Sequence, residues 1–241
     1  LQKTETHLLF ERTMDQKQYF CAASFSGTGQ IQKTAEHHYT WQPQTNESVL
    51  EGVVVFQEKN TIAELPTFED TQMAAAEHWK TFWNSSGAID LSLSKDPRWK
   101  ELERRIVLSQ YLTAIQSAQQ YPPQETGLTC CSWFGKFHLE MHWWHSVHFA
   151  LWDRLPLLER GLDWYIKTLP AARSIAHRQG YEGARWPKMT SPDGQDSPSG
   201  IGPLLIWQQP HPIYFAELVY RQRPTVVTLN KFKDVVFETA Q

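Results

Sequence analysis

Short runs of hydrophobic residues at the start of the chain predict β-strands. Aromatic and β-branched residues are concentrated at 8–10, 18–25 and 53–56, and turn-forming residues separate these runs. So few strands cannot cover one another well enough to form a domain. We therefore predict that residues 1–60 are the C-terminal strands of a β-sandwich domain.

A helical pattern replaces the strand pattern after Pro66. Thr67 and Asp70 have the spacing of a helix N-cap and its capping-box partner. The aromatic residues that follow recur at helical spacing, at Trp79, Phe82 and Trp83. We predict a helix over residues 67–83, within a linker region that covers residues 61–95.

The rest of the chain, residues 96–241, is predicted to be all-α. Asp96-Pro97 is a helix start, because proline is favoured at the first helical position. Apolar residues then keep helical spacing at Leu102, Ile106, Leu108, Leu112 and Ile115. Further helices are predicted at about 139–152, 157–178, 204–221 and 225–239. The loop between Gly183 and Gly202 is rich in Pro, Gly, Ser and Asp and is long enough to be functional.

Composition and charge exclude several classes of partner. The chain has 241 residues and a formal net charge of −3, so neither nucleic acid nor an anionic membrane is an expected partner. No apolar run approaches the roughly 18 residues of a membrane span. A mean hydropathy of −0.51 is that of a soluble globular protein, either exported or periplasmic or cytoplasmic. The oligomeric state is open, and the first residues lack an initiator Met and a signal peptide, so we expect a mature product or a fragment.

Two segments combine aromatic rings with charged groups, residues 133–145 and residues 183–190. This mixture suits a sugar, because C–H faces stack on indole while ring hydroxyls need charged or polar partners. The chain contains 11 Trp, and helices rich in Trp can also simply pack a core. Because the two segments occur together, we predict a carbohydrate site.

Glu140 lies in the middle of the first segment and is the candidate catalytic residue. A carboxylate among aromatic rings suits general acid or base catalysis, and it also suits the binding of two sugar hydroxyls. A purely structural ion pair is the alternative.

Four histidines in and just after the first segment raise the question of a metal site. They are His138, His142, His145 and His148. The His-Glu-x-x-His spacing of metalloproteases is absent, and the three cysteines Cys21, Cys130 and Cys131 have no zinc spacing. We therefore predict no metal and no other cofactor, and expect neutral imidazoles that bond sugar hydroxyls or buried carbonyls.

The second segment and the residues after it supply further candidates. Arg185 is suited to a bidentate contact with a carboxylate or with vicinal hydroxyls, and Trp186 to stacking on a sugar face. Gln209 and His211 are expected to face the same cavity as Arg185. The complete set of predicted substrate-binding residues is Trp133, His138, Glu140, His142, Trp144, Arg185, Trp186, Lys188, Asp193, Asp196, Gln209 and His211. For Asp193 and Asp196 the alternative is an exposed acidic turn.

These motifs resemble those of a known family over roughly residues 70–221. His78-Trp79, Phe82-Trp83, Arg104-Arg105-Ile106 and Gln116-Ser117 look like the start of the (α/α)6 barrel of the six-hairpin glycosidases. The closest likeness is to the maltose, kojibiose and trehalose phosphorylases and related hydrolases. Their Trp-Asp-Thr-Glu motif aligns so that its Asp matches Glu140 and its Glu matches His142.

The second half of the resemblance rests on later motifs. Gly183-Ala-Arg-Trp-Pro187 is similar to the family's Gly-Ala-Arg-Tyr-Pro, and Asp193-Gly-Gln-Asp196 to the Gly-Glu-Glu that follows. Gln209 and His211 repeat a Gln-x-His pair. This chain departs from the pattern in two places. It has Leu139-Glu140 where the family has Trp-Asp, and Lys188 where the family has a Trp after the Pro. Inherited sugar specificity is therefore not expected.

The resemblance implies part of an (α/α)6 six-hairpin toroid, preceded by a β-sandwich and a linker helix, in an inverting glycoside hydrolase that acts on an oligosaccharide. In such enzymes an acid protonates the leaving oxygen, and a base activates water or phosphate attacks. The family's general acid follows the Gln-x-His pair by several helices, so we expect it beyond Gln241. This chain would then hold the sugar-binding half of the site. The alternatives are a glycoside phosphorylase, a non-catalytic carbohydrate-binding relative, or a metal-dependent enzyme that uses the His-rich helix.

Overall fold

A computed structural model describes residues 2–3, 6–44, 48–60 and 65–241. The chain divides into two compact units, Leu1–Phe82 and Trp83–Gln241. Helices account for 46% of the structure and strands for 18%, with small antiparallel sheets first and helices after them. The fold is therefore mixed, although helices predominate.

The first unit contains two antiparallel sheets. Its strands are β1 (Gln2–Lys3), β2 (His7–Met14), β3 (Lys17–Phe25), β4 (Gly29–Ala35), β5 (His38–Pro43) and β6 (Gly52–Gln57). One sheet has the order β1-β2-β3-β6, and β4 pairs only with β5. The three strands predicted near 8–10, 18–25 and 53–56 are confirmed as β2, β3 and β6. The prediction missed the β4–β5 hairpin, whose residues are mostly polar and exposed.

Alternating side chains of β2 and β3 point to opposite faces of the larger sheet, and both faces make contacts. Leu9, Phe20 and Ala22 form a small core with Leu65. On the other face, two aromatic pairs join this sheet to the β4–β5 hairpin. They are Phe10 with Tyr39, whose ring centroids are 4.8 Å apart, and Phe25 stacked on Trp41 at 4.3 Å. The described strands thus form two small sheets in contact; the larger β-sandwich stays a prediction.

Six helices lie within the described residues: α1 (Phe68–Ser85), α2 (Trp99–Ser117), α3 (Leu139–Leu151), α4 (Leu155–Arg178), α5 (His211–Gln222) and α6 (Val226–Thr239). In that part of the chain they do not close into a toroid. The last four pack on one another around a common core, which includes Leu139, Tyr165, Trp186, Phe215 and Phe232. Within the described residues, none of these helices is both long and apolar enough to cross a membrane.

The helix starts follow local capping chemistry. The predicted capping box is confirmed, because Asp70 N–H donates to Thr67 Oγ1 at 3.0 Å and Thr67 N–H donates to Asp70 Oδ2 at 3.3 Å. The predicted start of a helix near 204 is wrong. A 3-10 turn and further turns occupy that stretch, and α5 begins at His211, directly after Pro210. Pro210 and Pro212 have no backbone N–H, so they are tolerated only in the first turn of a helix, which accounts for the late start.

A buried arginine fixes the turn between α3 and α4. Arg154 Nη2 donates to Gln110 Oε1 at 3.2 Å, and Gln110 Nε2 donates to Gly87 O at 2.8 Å. The guanidinium also lies 5.6 Å from the ring centroid of Trp83. This cluster joins the start of the second unit, α2 and the α3–α4 turn, and so supports the helix that carries the candidate site.

Candidate functional site

A two-stranded ribbon joins the two segments that the sequence singled out. Strand β7 (Phe137–His138) pairs antiparallel with β8 (Met189–Thr190). Just beyond the ribbon, Glu140 N–H donates to Lys188 O at 3.3 Å. The ribbon thus places the beginning of α3 against residues 188–190, and the candidate site forms where they meet.

Glu140 is held through one of its two carboxylate oxygens. Its Oε2 lies 3.0 Å from His138 Nε2 and 3.3 Å from Lys188 Nζ. Within the described part of the chain, Oε1 has no hydrogen-bond partner, and the side chain is 21% exposed. The carboxylate is therefore fixed in orientation while one oxygen stays free to accept hydrogen bonds.

Lys188 connects this carboxylate to an exposed indole. Its Nζ lies 5.4 Å from the ring centroid of Trp133, a cation–π distance, and the side chain is 13% exposed. Trp133, Phe134 and Gly135 all have positive φ values, of 50°, 60° and 72°. Such backbone costs free energy in non-glycine residues, and it presents both aromatic rings to solvent.

Two further exposed indoles lie on or just before the helices that start near the site. Trp144 follows Glu140 by one turn on the same face of α3 and is exposed. Trp207, just before α5, is also exposed and contacts the ring of His211 edge-on at 5.3 Å. Exposed indoles beside a fixed carboxylate match the needs of a sugar ligand.

Two of the candidate histidines lie in the core below this surface. His142 Nδ1 is 2.8 Å from the Tyr165 hydroxyl, and His211 Nδ1 is 3.1 Å from Leu139 O. Complete burial, together with the neighbouring His145 and His211, lowers the pKa of His142 to about 3. Burial also lowers the pKa of His211. Both rings are buried, and each bonds a group of the core.

Trp186 is likewise part of the core. The indole is 1% exposed, its centroid lies 4.9 Å from the Tyr165 ring, and its Nε1 donates to Thr239 Oγ1 at 2.9 Å. Gln209 fixes the Trp186 backbone, because Oε1 accepts from the N–H and Nε2 donates to the C=O, both at 2.7 Å. Arg185 and Gln209 line the same small cavity of about 10 Å³, and His211 does not line it. The Arg185 guanidinium lies over the Tyr181 ring at 4.4 Å.

The two candidate aspartates occupy the turn after β8. Asp193 is exposed and accepts a hydrogen bond from Ser191 Oγ. Asp196 pairs with Thr190 in an antiparallel bridge, so it adjoins the ribbon. Burial raises the pKa of the Asp196 carboxyl, while Arg178 and Lys136 act in the opposite direction.

No group of three or more His, Cys, Asp or Glu side chains suited to hold a metal ion occurs among the described residues. The metal-dependent alternative therefore has no ligand set in this part of the chain. His145 from the His-rich helix instead bonds the backbone, with Nε2 2.8 Å from Glu125 O.

Sequence reasoning missed Glu125. Its carboxylate Oε2 lies 3.9 Å from Nδ1 of His138, on the side of the ring opposite Glu140. Glu125 belongs to an irregular loop between α2 and β7, where no periodic pattern indicates the direction of a side chain. Only its charge next to a Pro-rich turn could have drawn attention to it.

Comparison with models of protein families gives no match, and comparison with curated proteins gives no similar sequence. The resemblance to six-hairpin glycosidases therefore stays a prediction from the motifs.

Proposed function

We propose that the chain binds an oligosaccharide at Glu140 and is the sugar-binding half of an inverting glycoside hydrolase of the six-hairpin (α/α)6 type. The observation that carries the proposal is the state of Glu140, which has one oxygen fixed and the other free beside exposed indoles.

The fixed carboxylate suits sugar recognition. His138 and Lys188 hold Oε2, so the carboxylate is oriented before a ligand arrives. A sugar hydroxyl that donates to Oε1 would make a charge-assisted hydrogen bond, worth about 1.5–3 kcal/mol. Trp133 and Trp144 supply apolar faces for C–H stacking.

The charge arrangement favours hydrolysis over phosphorolysis. Phosphate as the attacking group needs a cation directed at it. The Lys188 ammonium instead contacts Glu140 Oε2 and faces the Trp133 ring. Inversion also requires a proton donor and a base on opposite sides of the sugar. The proposal assigns binding and orientation to this chain's residues and the proton donor to a carboxylate outside them.

The test is sugar binding by Glu140→Gln. Wild-type protein is titrated calorimetrically with a panel of α- and β-linked disaccharides and trisaccharides of glucose, galactose, mannose and xylose. We expect the variant to bind the best panel member about 10- to 100-fold more weakly, because a charged hydrogen bond is lost. Glu217→Gln is the matched control, since Glu217 is an exposed glutamate paired with Arg221 on α5. Equal affinity in wild type and Glu140→Gln would remove Glu140 from the site.

A further inference from the structure

Glu125, His138, Glu140 and Lys188 form a continuous row of ionisable groups. Glu125 Oε2 lies 3.9 Å from His138 Nδ1, His138 Nε2 lies 3.0 Å from Glu140 Oε2, and Lys188 Nζ lies 3.3 Å from the same oxygen. The imidazole at the centre of the row is only 2% exposed. A buried ring between two carboxylates can donate in both directions.

We propose that Glu125 is a positioning residue of the sugar site, which acts through His138 to keep the carboxylate of Glu140 oriented. The inference rests on the proposed sugar-binding role of Glu140. Glu125 itself faces the imidazole, so its effect on a ligand is exerted through the ring.

The backbone around Glu125 is fixed to the elements that carry the site. Glu125 O is 2.8 Å from His145 Nε2 on α3, and His138 N–H donates to Pro123 O at 2.9 Å. Gly127 closes the following turn with a φ of 81°, and a Cβ there would lie 2.6 Å from Gln116 Cβ. The Glu125 side chain therefore extends from a fixed backbone position beside the ring.

The ring needs a partner on the Glu125 side. His138 Nδ1 is buried and has no hydrogen bond within the described residues. A closure of about 1 Å turns the contact between Nδ1 and Glu125 into a charge-assisted hydrogen bond. The ring is then held at both nitrogens, and its rotation breaks two contacts with carboxylates instead of one.

A carboxylate lies on each side of the ring. Glu125 from the loop lies on the Nδ1 side, and Glu140 from α3 lies on the Nε2 side, where its Oε2 also contacts the Lys188 ammonium. Removal of the Glu125 charge removes the charged partner on the Nδ1 side.

The experiment compares wild type, Glu125→Gln and Glu125→Asp in the intact protein. Glu125→Gln keeps the backbone carbonyl that His145 bonds, so the loop stays attached. The first measurement is the ¹⁵N chemical shifts of the His138 ring without ligand. We expect the ring shifts of wild type and Glu125→Gln to differ, with the larger change at Nδ1, the nitrogen that faces Glu125.

The second measurement is the affinity for the panel member that wild type binds most tightly. We expect Glu125→Gln to weaken binding about tenfold and Glu125→Asp, which retains the charge, to recover part of it. Unchanged ring shifts in Glu125→Gln overturn the positioning role, whether or not a sugar binds. Altered ring shifts with unchanged sugar affinity overturn it as well. Wild type that binds no panel member refutes the proposed function and the role of Glu125 in it, even where the ring shifts respond.

Discussion

Acid should destabilise this protein mainly through its buried histidines, and His142 is the sharpest case. The ring is completely buried, stacks on Tyr165 with an interplanar angle of 12°, and bonds its hydroxyl. Burial and the neighbouring His145 and His211 lower its pKa from 6.5 to about 3. Between pH 6.5 and pH 3 the unfolded chain therefore holds a proton on this ring that the folded chain does not.

The sign and the size of the effect follow from proton linkage. Because the unfolded state binds more protons in this window, the free energy of unfolding falls as the pH falls. The stabilising contribution is fully present above pH 6.5. From pH 7.5 to pH 4.5, His142 alone should remove about 2.5 kcal/mol. Burial also lowers the pKa of His145, His148 and His211, which act in the same direction.

The assay is chemical denaturation at constant ionic strength from pH 7.5 to pH 4.5. His142→Phe removes the titrating group but leaves the Tyr165 hydroxyl buried without its partner, at a cost of about 1–3 kcal/mol at every pH. The double variant with Tyr165→Phe removes both polar groups and should recover much of that loss. Both variants should lose about 2.5 kcal/mol less than wild type on acidification. Wild-type and variant curves that run parallel would refute the burial of a neutral His142.

Two further stability predictions use the same denaturation assay at pH 7.5. Gly183→Ala places a Cβ 2.2 Å from Glu238 O, whereas Gly180→Ala has a similar positive φ and open space. Gly183→Ala should therefore cost about 1–3 kcal/mol more than Gly180→Ala, and equal losses would contradict the close contact. Arg154→Met keeps an apolar stem but removes the donor to buried Gln110 Oε1, and should cost about 1–3 kcal/mol. A loss below 0.5 kcal/mol, the range typical of surface substitutions, would contradict a supporting role for this cluster.

Local signals in the sequence predicted much of the fold. Thr67 and Asp70 cap their own helix, and the periodic segments at 139–152 and 157–178 are found as α3 and α4 with ends that differ by two residues or fewer. These features depend on neighbours within one or two helical turns. The β4–β5 hairpin was missed because its inward contacts, from Tyr39 and Trp41, are made to a different sheet.

The candidate site was only partly predictable, because its contacts cross between distant segments. Strands β7 and β8 have two residues each, too few for a periodic pattern, yet they bring Lys188 to Glu140. The sequence also does not show which indole is buried. Trp186, which we expected to stack on a sugar, packs on Tyr165, while Trp133 lies at the surface.

Sugar release from the oligosaccharide panel by the full-length parent protein, which would carry this chain together with the proposed proton donor, tests the central claim most directly when it is measured with and without phosphate. The anomeric configuration of the first product is followed by NMR. The account predicts release that does not depend on phosphate and that inverts the configuration at the cleaved bond. Phosphate-dependent release would instead identify a phosphorylase. Binding without release would identify a carbohydrate-binding relative. The absence of both binding and release across the whole panel would contradict a sugar site at Glu140.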